Sequence, residues 1–241
     1  MDQRSLRGQD LSGWDFSGVD LSGANLSEAN LTKANLSHAK LKHVNMEKAN
    51  LYWANLSYAE LARAQLAAAN LNAADLGSAH LREADLTGAS LTEANLDGAN
   101  LAGTDFSGAD LSRSVVREAC LRGAKLAGAT LNKTELVASD LVGANLDGAD
   151  LSDAVLLEAD LSDATLVGAN LTSAIIWNAK LIHANLSMAD LTGAALGGAD
   201  LSGANLKGTR LNDCEMDDIQ YDEETLWPEG FSPASVSTDQ R

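Results

Sequence analysis

The sequence predicts an all-β fold, a parallel β-solenoid, from three observations. A centre residue, apolar or aromatic and nearly always Leu, recurs every five positions from Leu6 to Leu226 without insertion or deletion. Ala usually stands two residues before each centre, and Asn or Asp stands directly before it. Most of the 20 glycines lie two residues after a centre, whereas both prolines lie in the C-terminal tail. Tandem units of this kind stack into a rod in which each unit contacts only its neighbours.

The period of five excludes the regular elements. In an α-helix each step of five rotates by about 140°, so the leucines would surround the cylinder instead of forming a stripe. A flat strand has a period of two and cannot keep every fifth side chain on one face. A short extended piece followed by a corner fits the pattern, because glycine readily adopts the positive φ of a tight corner. Proline is excluded from the body if its backbone N–H groups are needed for hydrogen bonds between coils.

The tandem A-(N/D)-L-x-x units resemble the pentapeptide repeat family over residues 6 to about 220. That resemblance implies a right-handed quadrilateral β-helix with four pentapeptides, about 20 residues, in each coil, and with the centre and the preceding Ala pointing inward. About eleven coils would give a rod about 50 Å long at ~4.8 Å per coil. The tail motif Y-D-x-x-T-x-W-P-x-G-F resembles the C-terminus of many cyanobacterial members of the family.

Both ends of the repeat are expected to carry caps. Residues 1–220 form the predicted β-helix, with an N-terminal cap over about 1–20, because Trp14 occupies an inward slot that holds Ala in the body. Residues 221–241 are expected to form a C-terminal capping segment and a flexible tail, in which Leu226, Trp227 and Phe231 fold back over the last coil. Solenoids need such covers to prevent association end to end.

Composition argues against several classes of function. The net charge of −17 disfavours nucleic-acid binding, which needs basic surface to neutralise phosphates. The N-terminus has no apolar leader segment and no run approaches the length of a membrane span, so we expect a cytoplasmic protein that does not contact the membrane. Two cysteines, Cys120 and Cys214, form neither a disulfide framework nor a metal-ligand spacing.

No catalytic, metal or cofactor site is predicted. His38 and His43 fall on successive faces of the coil and diverge, and Cys120 has no His placed to activate it. The many Asp residues form flat columns on a rod without a cleft that could raise a pKa. We therefore expect a protein that is not an enzyme and that carries no cofactor.

Residues 20 positions apart should stack, so the sequence predicts which outward side chains are neighbours on the surface. The first notable surface region is called here the basic aromatic patch. Residues 24–63 carry five Lys or Arg against three Glu in an otherwise acidic chain. Two alternatives are open: a solvated face with weak ladder contacts, or a recognition surface, since Trp, Tyr and Arg anchor interfaces. The patch consists of Lys33, His38, His43, Lys48, Tyr52, Trp53, Tyr58 and Arg63.

The second region, the apolar strip, lies where flanking positions that are usually polar hold apolar side chains. A contiguous exposed strip over several coils marks an interaction site more often than isolated apolar residues do. The alternatives are that the C-terminal tail covers it, or that it is a homodimer seam or a site for another protein. The strip consists of Val137, Val155, Leu157, Ile175, Trp177 and Ile182.

Two functions are therefore considered. The first is a structural scaffold for protein–protein interaction, with a protein partner of unknown identity or a second copy of the chain. The second follows from the resemblance, because some pentapeptide repeat proteins protect DNA gyrase, a type II topoisomerase, as acidic mimics of duplex DNA. The charge fits that analogy, but such proteins tend to be rich in Phe at the centre and often have loops, whereas this chain has only Phe16 and Phe106 at centres and no loop insertion.

Overall fold

The computed structural model describes residues 5–233, which coil as a parallel solenoid. Isolated parallel bridges join each residue before a centre to the residue 20 positions later, from Ser5–Asn25 to Asp200–Gln220. Each coil thus takes four pentapeptides and has four sides. Within residues 5–233 there is no α-helix and no strand longer than one bridged residue. The predicted β pairing is present between coils, but each extended piece is too short to form a continuous strand.

The core is a narrow column of Leu and Ala. From Leu26 to Leu206, every centre and every side chain two residues before a centre is at most 1% exposed. Phe106 is the largest of the fully buried side chains. Because each coil adds the same small residues, the interior keeps one cross-section along the rod, which explains why an aromatic-poor sequence can still fill it.

Asn and Asp before the centre complete the backbone hydrogen bonds. In the pentapeptide 35–39, four of the five N–H groups donate to carbonyl oxygens of adjacent coils or of the same turn. The fifth, the N–H of Ser37, donates to the side chain of Asn35 at 3.1 Å. In the coil before, the backbone N–H of Ser17 donates to Asp15 at 3.0 Å. This hydrogen bond, together with a weaker contribution from the Ser17 hydroxyl, lowers the pKa of the Asp15 carboxyl. The side-chain oxygen of the repeated Asn or Asp therefore takes the place of a backbone carbonyl as hydrogen-bond acceptor.

Each corner is a turn in which the centre carbonyl accepts the N–H three residues later, with positive φ at the third residue, as in a type II turn. Every corner residue from Gly8 to Asp218 has positive φ. Between Glu28 (φ 60°) and Glu83 (φ 58°) all the corner residues carry side chains. The left-handed conformation costs these residues about 1–2 kcal/mol each relative to glycine, so the fold imposes it against local preference.

The 20-residue register breaks near the C-terminus, where the last coil contains one extra residue. The bridge partner of Asn205 is Leu226, 21 positions later, and Thr225 takes the inward slot and donates to the Leu201 carbonyl at 3.0 Å. The extra residue is accommodated by Asp222, whose carboxylate accepts the N–H of Gly203 at 2.9 Å. The expectation that Leu226 is an inward centre is thus wrong, because a one-residue shift turns its side chain outward, where it is 41% exposed.

The other predicted cap residues lie at the two ends of the rod. Trp14 is 57% exposed, and its ring stacks on Phe16 with the centroids 5.9 Å apart. Trp227 and Phe231 are partly buried against the core, with ring centroids 5.2 Å apart. Their capping role stays a prediction. The predicted flexible end of the tail over 234–241 lies outside the described residues, as does the start of the N-terminal cap over 1–4.

Four polar side chains occupy inward slots in the middle of the rod, and three of them are hydrogen-bonded. Thr104 and Thr134 donate to the carbonyls of Leu81 and Leu111, and Ser139 donates to the Leu136 carbonyl at 2.7 Å. Among the described residues, the buried Ser114 Oγ has no hydrogen-bond partner. A buried hydroxyl without a partner destabilises the folded state.

Replacing the exposed corner residue Ala68 (φ 55°) with glycine should stabilise the protein by about 0.5–1 kcal/mol, because the left-handed strain is removed. Ala67 is the matched control: it precedes Ala68 in the same turn without positive φ, and Ala67→Gly should destabilise by about 0.5–1 kcal/mol through chain entropy alone. Denaturant midpoints measured by circular dichroism check both changes. Equal effects of the two substitutions would contradict the strain argument.

Replacing Ser114 with Ala should raise the free energy of unfolding by about 1 kcal/mol, because a buried donor without a partner is removed and almost no volume is lost. Ser139→Ala is the control, and it should lower the free energy of unfolding by about 0.5–1.5 kcal/mol because a formed hydrogen bond is lost. The same denaturant titration compares the two variants. A destabilised Ser114→Ala protein would show that this hydroxyl does have a partner.

Candidate functional site

The apolar strip lies mainly on one face of the rod, called here the strip face, whose centres run every 20 residues from Phe16 to Met216. Bridges stack Val155 on Ile175 and Ile175 on Ala195, so the apolar side chains of successive coils adjoin. Ile175 is 38% exposed and Trp177 is 46% exposed, while Val137, Val155 and Leu157 are half-buried. Ile182 is half-buried on the neighbouring face. The strip is thus a continuous surface within the described residues.

The strip face loses its amide acceptors where it becomes apolar. For six coils the residue before the centre is neither Asn nor Asp. In other coils the Asn or Asp side chain accepts the backbone N–H of the residue two positions later. On these six coils that N–H has no intramolecular acceptor within residues 5–233. The six N–H groups belong to Arg117, Val137, Leu157, Trp177, Gly197 and Asp217. Backbone N–H groups need an acceptor from water or from a contacting molecule. The substitutions that make the face apolar therefore also expose a column of donors. The six residues before the centres are Val115, Glu135, Val155, Ile175, Ala195 and Glu215.

A shallow groove borders Trp177 at the C-terminal end of the strip. A Cβ atom at Gly197 would lie 3.4 Å from Trp177 Cδ1, so the absent side chain lets the ring lie against the next coil. Gly197 is not a corner residue and lacks positive φ, which leaves this contact as the reason for glycine there. Asp217 and Glu215 form the opposite wall of the groove. The strip therefore ends against acidic side chains.

The described part of the tail does not cover the strip. Pro228 and Phe231 pack around Arg210 and Leu211 on another side of the rod, and Leu226 continues the coil stack beyond Asn205. At the other end of the strip, Arg117 Nε donates to Glu135 Oε2 at 2.7 Å. Within the described residues the strip is thus bounded by charged side chains and open to solvent between them.

The structure brings together part of the basic aromatic patch. Lys33 Nζ lies 5.6 Å from the centroid of the Trp53 ring, and the His38 and Tyr58 rings stack with centroids 4.9 Å apart at an angle of 3°. These contacts are weak on an exposed surface.

The remaining patch residues are spread around the rod. Arg63 lies on a different corner and pairs with Glu83 at 2.8 Å. Tyr52 adjoins Trp53, with the ring centroids 6.0 Å apart. His43 follows the next face, and Lys48 lies on a further corner, where its stacked neighbour Glu28 pairs instead with Arg7. The patch is therefore not one surface.

Sequence reasoning missed that the two regions share a face. The corners that carry Trp53 and Tyr58 border the strip face at Leu56, which lies on the same column of centres four coils before Leu136 and six coils before Ile176. The signal was present in the numbering, because Leu56 and Ile176 differ by a multiple of 20. One face thus has aromatic borders toward its N-terminal end and an apolar surface toward its C-terminal end.

The described residues contain no group of three or more His, Cys, Asp or Glu side chains able to hold a metal ion. The Cys214 thiol points inward and donates to the Leu191 carbonyl, and burial raises its pKa to about 11, so it is a poor nucleophile. Among residues 5–233 no helix has the length and apolarity to cross a membrane.

Comparison with solved structures finds pentapeptide repeat proteins. HetL from the cyanobacterium Nostoc sp. strain PCC 7120, described as involved in heterocyst differentiation regulation, is 30% identical, with 93% of this chain and 94% of HetL covered and a TM-score of 0.50. Rfr23 from the cyanobacterium Cyanothece 51142 is 34% identical over 43% of this chain and 63% of its own, with a TM-score of 0.18. Full-length QnrB1, a plasmid-mediated fluoroquinolone resistance protein, is 16% identical over 89% and 92%, with a TM-score of 0.36.

No curated protein sequence matches this chain significantly. The family profile described as "Pentapeptide repeats" matches this chain over residues 10–47, 49–88, 79–117, 119–156, 139–178, 149–187 and 179–218. These matches span most of the residues whose coils repeat every 20 positions. The chain therefore belongs to the pentapeptide repeat family.

Proposed function

We propose that this protein is a non-enzymatic scaffold whose rod presents the apolar strip to another protein surface. The observation that carries the proposal is the coincidence on one face of exposed Ile175 and Trp177 with backbone N–H groups that lack an intramolecular acceptor. A contacting protein could cover the apolar side chains and supply acceptors to the amides. Trp is also among the residues that most often dominate the binding energy of interfaces.

The family supports this class of function. HetL is described as a pentapeptide repeat protein involved in heterocyst differentiation regulation, and its likeness extends over nearly the whole chain. Regulation through surface contact suits a rod whose described residues present flat faces and shallow grooves. We also propose the finer architecture that the resemblance implies: a right-handed quadrilateral β-helix of about eleven coils over residues 1–220, capped by 221–241, in a cytoplasmic protein of cyanobacterial type.

Affinity capture tests the proposal. Immobilised wild-type protein should retain a protein from extract of the source organism, and Trp177→Asp should reduce that retention at least tenfold, because a charge at the centre of the strip would have to be desolvated. Trp53→Asp is the matched control: it introduces the same change at an exposed Trp of the basic aromatic patch and should leave retention unchanged.

The opposite result, with loss only for Trp53→Asp, would assign the partner to the basic aromatic patch. If neither the wild type nor either variant retains any protein, a copy of this chain included, the scaffold function fails.

A second candidate is an acidic DNA mimic that binds a type II topoisomerase, favoured by the net charge of −17 on a rod. Only two centres in the sequence are Phe, namely Phe16 and the fully buried Phe106. The chain therefore does not have the Phe-rich interior expected of such mimics. The apolar strip is also unlike duplex DNA, whose surface is charged along its length.

A gyrase supercoiling assay separates the two functions. We expect neither inhibition of gyrase nor protection of gyrase from a quinolone at micromolar concentrations of this protein, because the strip face lacks continuous negative charge. Dose-dependent inhibition or protection would establish the mimic instead. A known gyrase-protecting pentapeptide repeat protein serves as the positive control.

A further inference from the structure

We propose that a second copy of this chain occupies the apolar strip, in an antiparallel two-fold pairing whose axis passes between the levels of Leu156 and Ile176. The inference rests on the proposed function, because it takes the strip to be a protein-binding surface. It adds the occupant, the relative direction of the two rods and the pairing register.

The geometry of the pairing follows from the flat face. Two such faces can meet with the rods antiparallel if the two-fold axis lies between them and crosses both rods at right angles. The rotation reverses the order of the coils but keeps each column of side chains opposite the same column. The residues directly after the centres in one copy then face the residues directly after the centres in the other copy. Each column of corner residues likewise faces the same column of the second copy.

With the axis between Leu156 and Ile176, the apolar residues meet each other. Trp177 faces Leu157 of the second copy, and Ile175 faces Val155, twice each by symmetry. One coil further out, Val137 faces Gly197 and the edge of the Trp177 ring that lies over it. All of the apolar strip on this face is then covered by apolar or small residues.

The same register also pairs opposite charges at both ends of the strip. Arg117 faces Asp217, and Arg113 faces Asp213. Within the described residues neither Asp213 nor Asp217 has an ion-pair partner, and the nearest carboxylate oxygen to Arg113 is that of Glu93 at 3.8 Å. Arg117 already contacts Glu135 and is half-exposed, so its guanidinium can reach a second carboxylate. Four interchain pairs follow by symmetry.

Neighbouring registers bring like charges together. With the axis at the level of Leu156, Asp217 faces Asp97 and Asp213 faces Glu93. With the axis at the level of Ile176, Glu215 faces Glu135 and the two Trp177 rings meet head on. Like charges placed opposite each other disfavour a wrong pairing. The charges therefore select one register among those that would bury the strip.

The dimer should be weak. The six paired coils extend over roughly 25 Å at ~4.8 Å per coil, which is small for a protein interface. Each chain also carries a net charge of −17, and Glu118 faces Asp218 in this register. We therefore expect association in the micromolar range, measured near physiological ionic strength so that the general repulsion is screened.

Sedimentation velocity over a concentration series tests the pairing. Wild type should shift from monomer to dimer as its concentration rises through the micromolar range. Arg117→Glu alone and Asp217→Arg alone should each raise the dissociation constant at least tenfold, because each places like charges opposite one another. An equimolar mixture of the two variants should dimerise again, since both interchain pairs are then of opposite charge.

Arg122→Glu is the matched control, because it makes the same charge change on the neighbouring face, where Arg122 pairs with Asp140 at 3.2 Å. It should leave the dissociation constant within about twofold, as an exposed pair outside the seam contributes little. Equal thermal midpoints for all variants would confirm that each folds. A wild type that stays monomeric at several hundred micromolar, a mixture that does not recover, or an Arg122→Glu effect as large as that of Arg117→Glu would each overturn the proposal.

Disulfide trapping tests the register separately. In a Cys120→Ala background, Val155→Cys and Ile175→Cys proteins should form disulfides when mixed and oxidised, and neither should do so alone. Disulfides within the Val155→Cys sample alone would place the axis at Leu156 and overturn the register. If the protein is monomeric yet Trp177→Asp still abolishes capture of a different protein, the second copy is excluded while the scaffold function stands.

Discussion

The backbone hydrogen bonds between successive coils are the constraint on which the rest of the structure depends. Each pentapeptide donates two or three of its N–H groups to the coils above and below and one within its own turn. This pattern allows one extended step and one sharp corner per unit. The inward space is then narrow and is filled mostly by Leu with Ala, and a single N–H in each unit has no carbonyl within reach. Asn or Asp before the centre fills that need, and the repeat sequence follows from the backbone.

The same constraint explains how this rod acquires surfaces for binding. Outward positions carry no packing requirement, so they can vary without disturbing the coil, as Trp53 and Tyr58 do at corners with positive φ. Only the position before the centre has a structural task. Where Val155 and Ile175 take that position, the bridges between coils are kept, but within the described residues the backbone N–H groups of Leu157 and Trp177 have no intramolecular acceptor. The substitution destabilises the isolated rod slightly, and a contacting surface can offset that loss.

Sequence reasoning identified the inward residues, the 20-residue stack and the apolar strip because all three depend on periodicity alone. It failed at the C-terminus, where Asp222 takes over a backbone acceptor position and shifts Leu226 outward by one residue. No period could reveal that shift, since it depends on a side chain reaching the coil below. The positive φ of residues such as His43 was equally hidden, because local preference opposes it and the surrounding coils impose it.

By itself, then, the sequence determined the architecture of this protein, because a repeat of five with Leu and Ala at fixed places has one way to bury them and to pair its backbone. The tertiary structure alone decided how exposed Trp177 is and that Gly197 makes room for it. It also decided that the described tail lies away from the strip and that Ser114 Oγ has no hydrogen-bond partner among residues 5–233. These features depend on contacts between residues that are about one coil or more apart in the sequence. Whether such residues touch depends on the distance and direction between their side chains, which the order of residues does not specify.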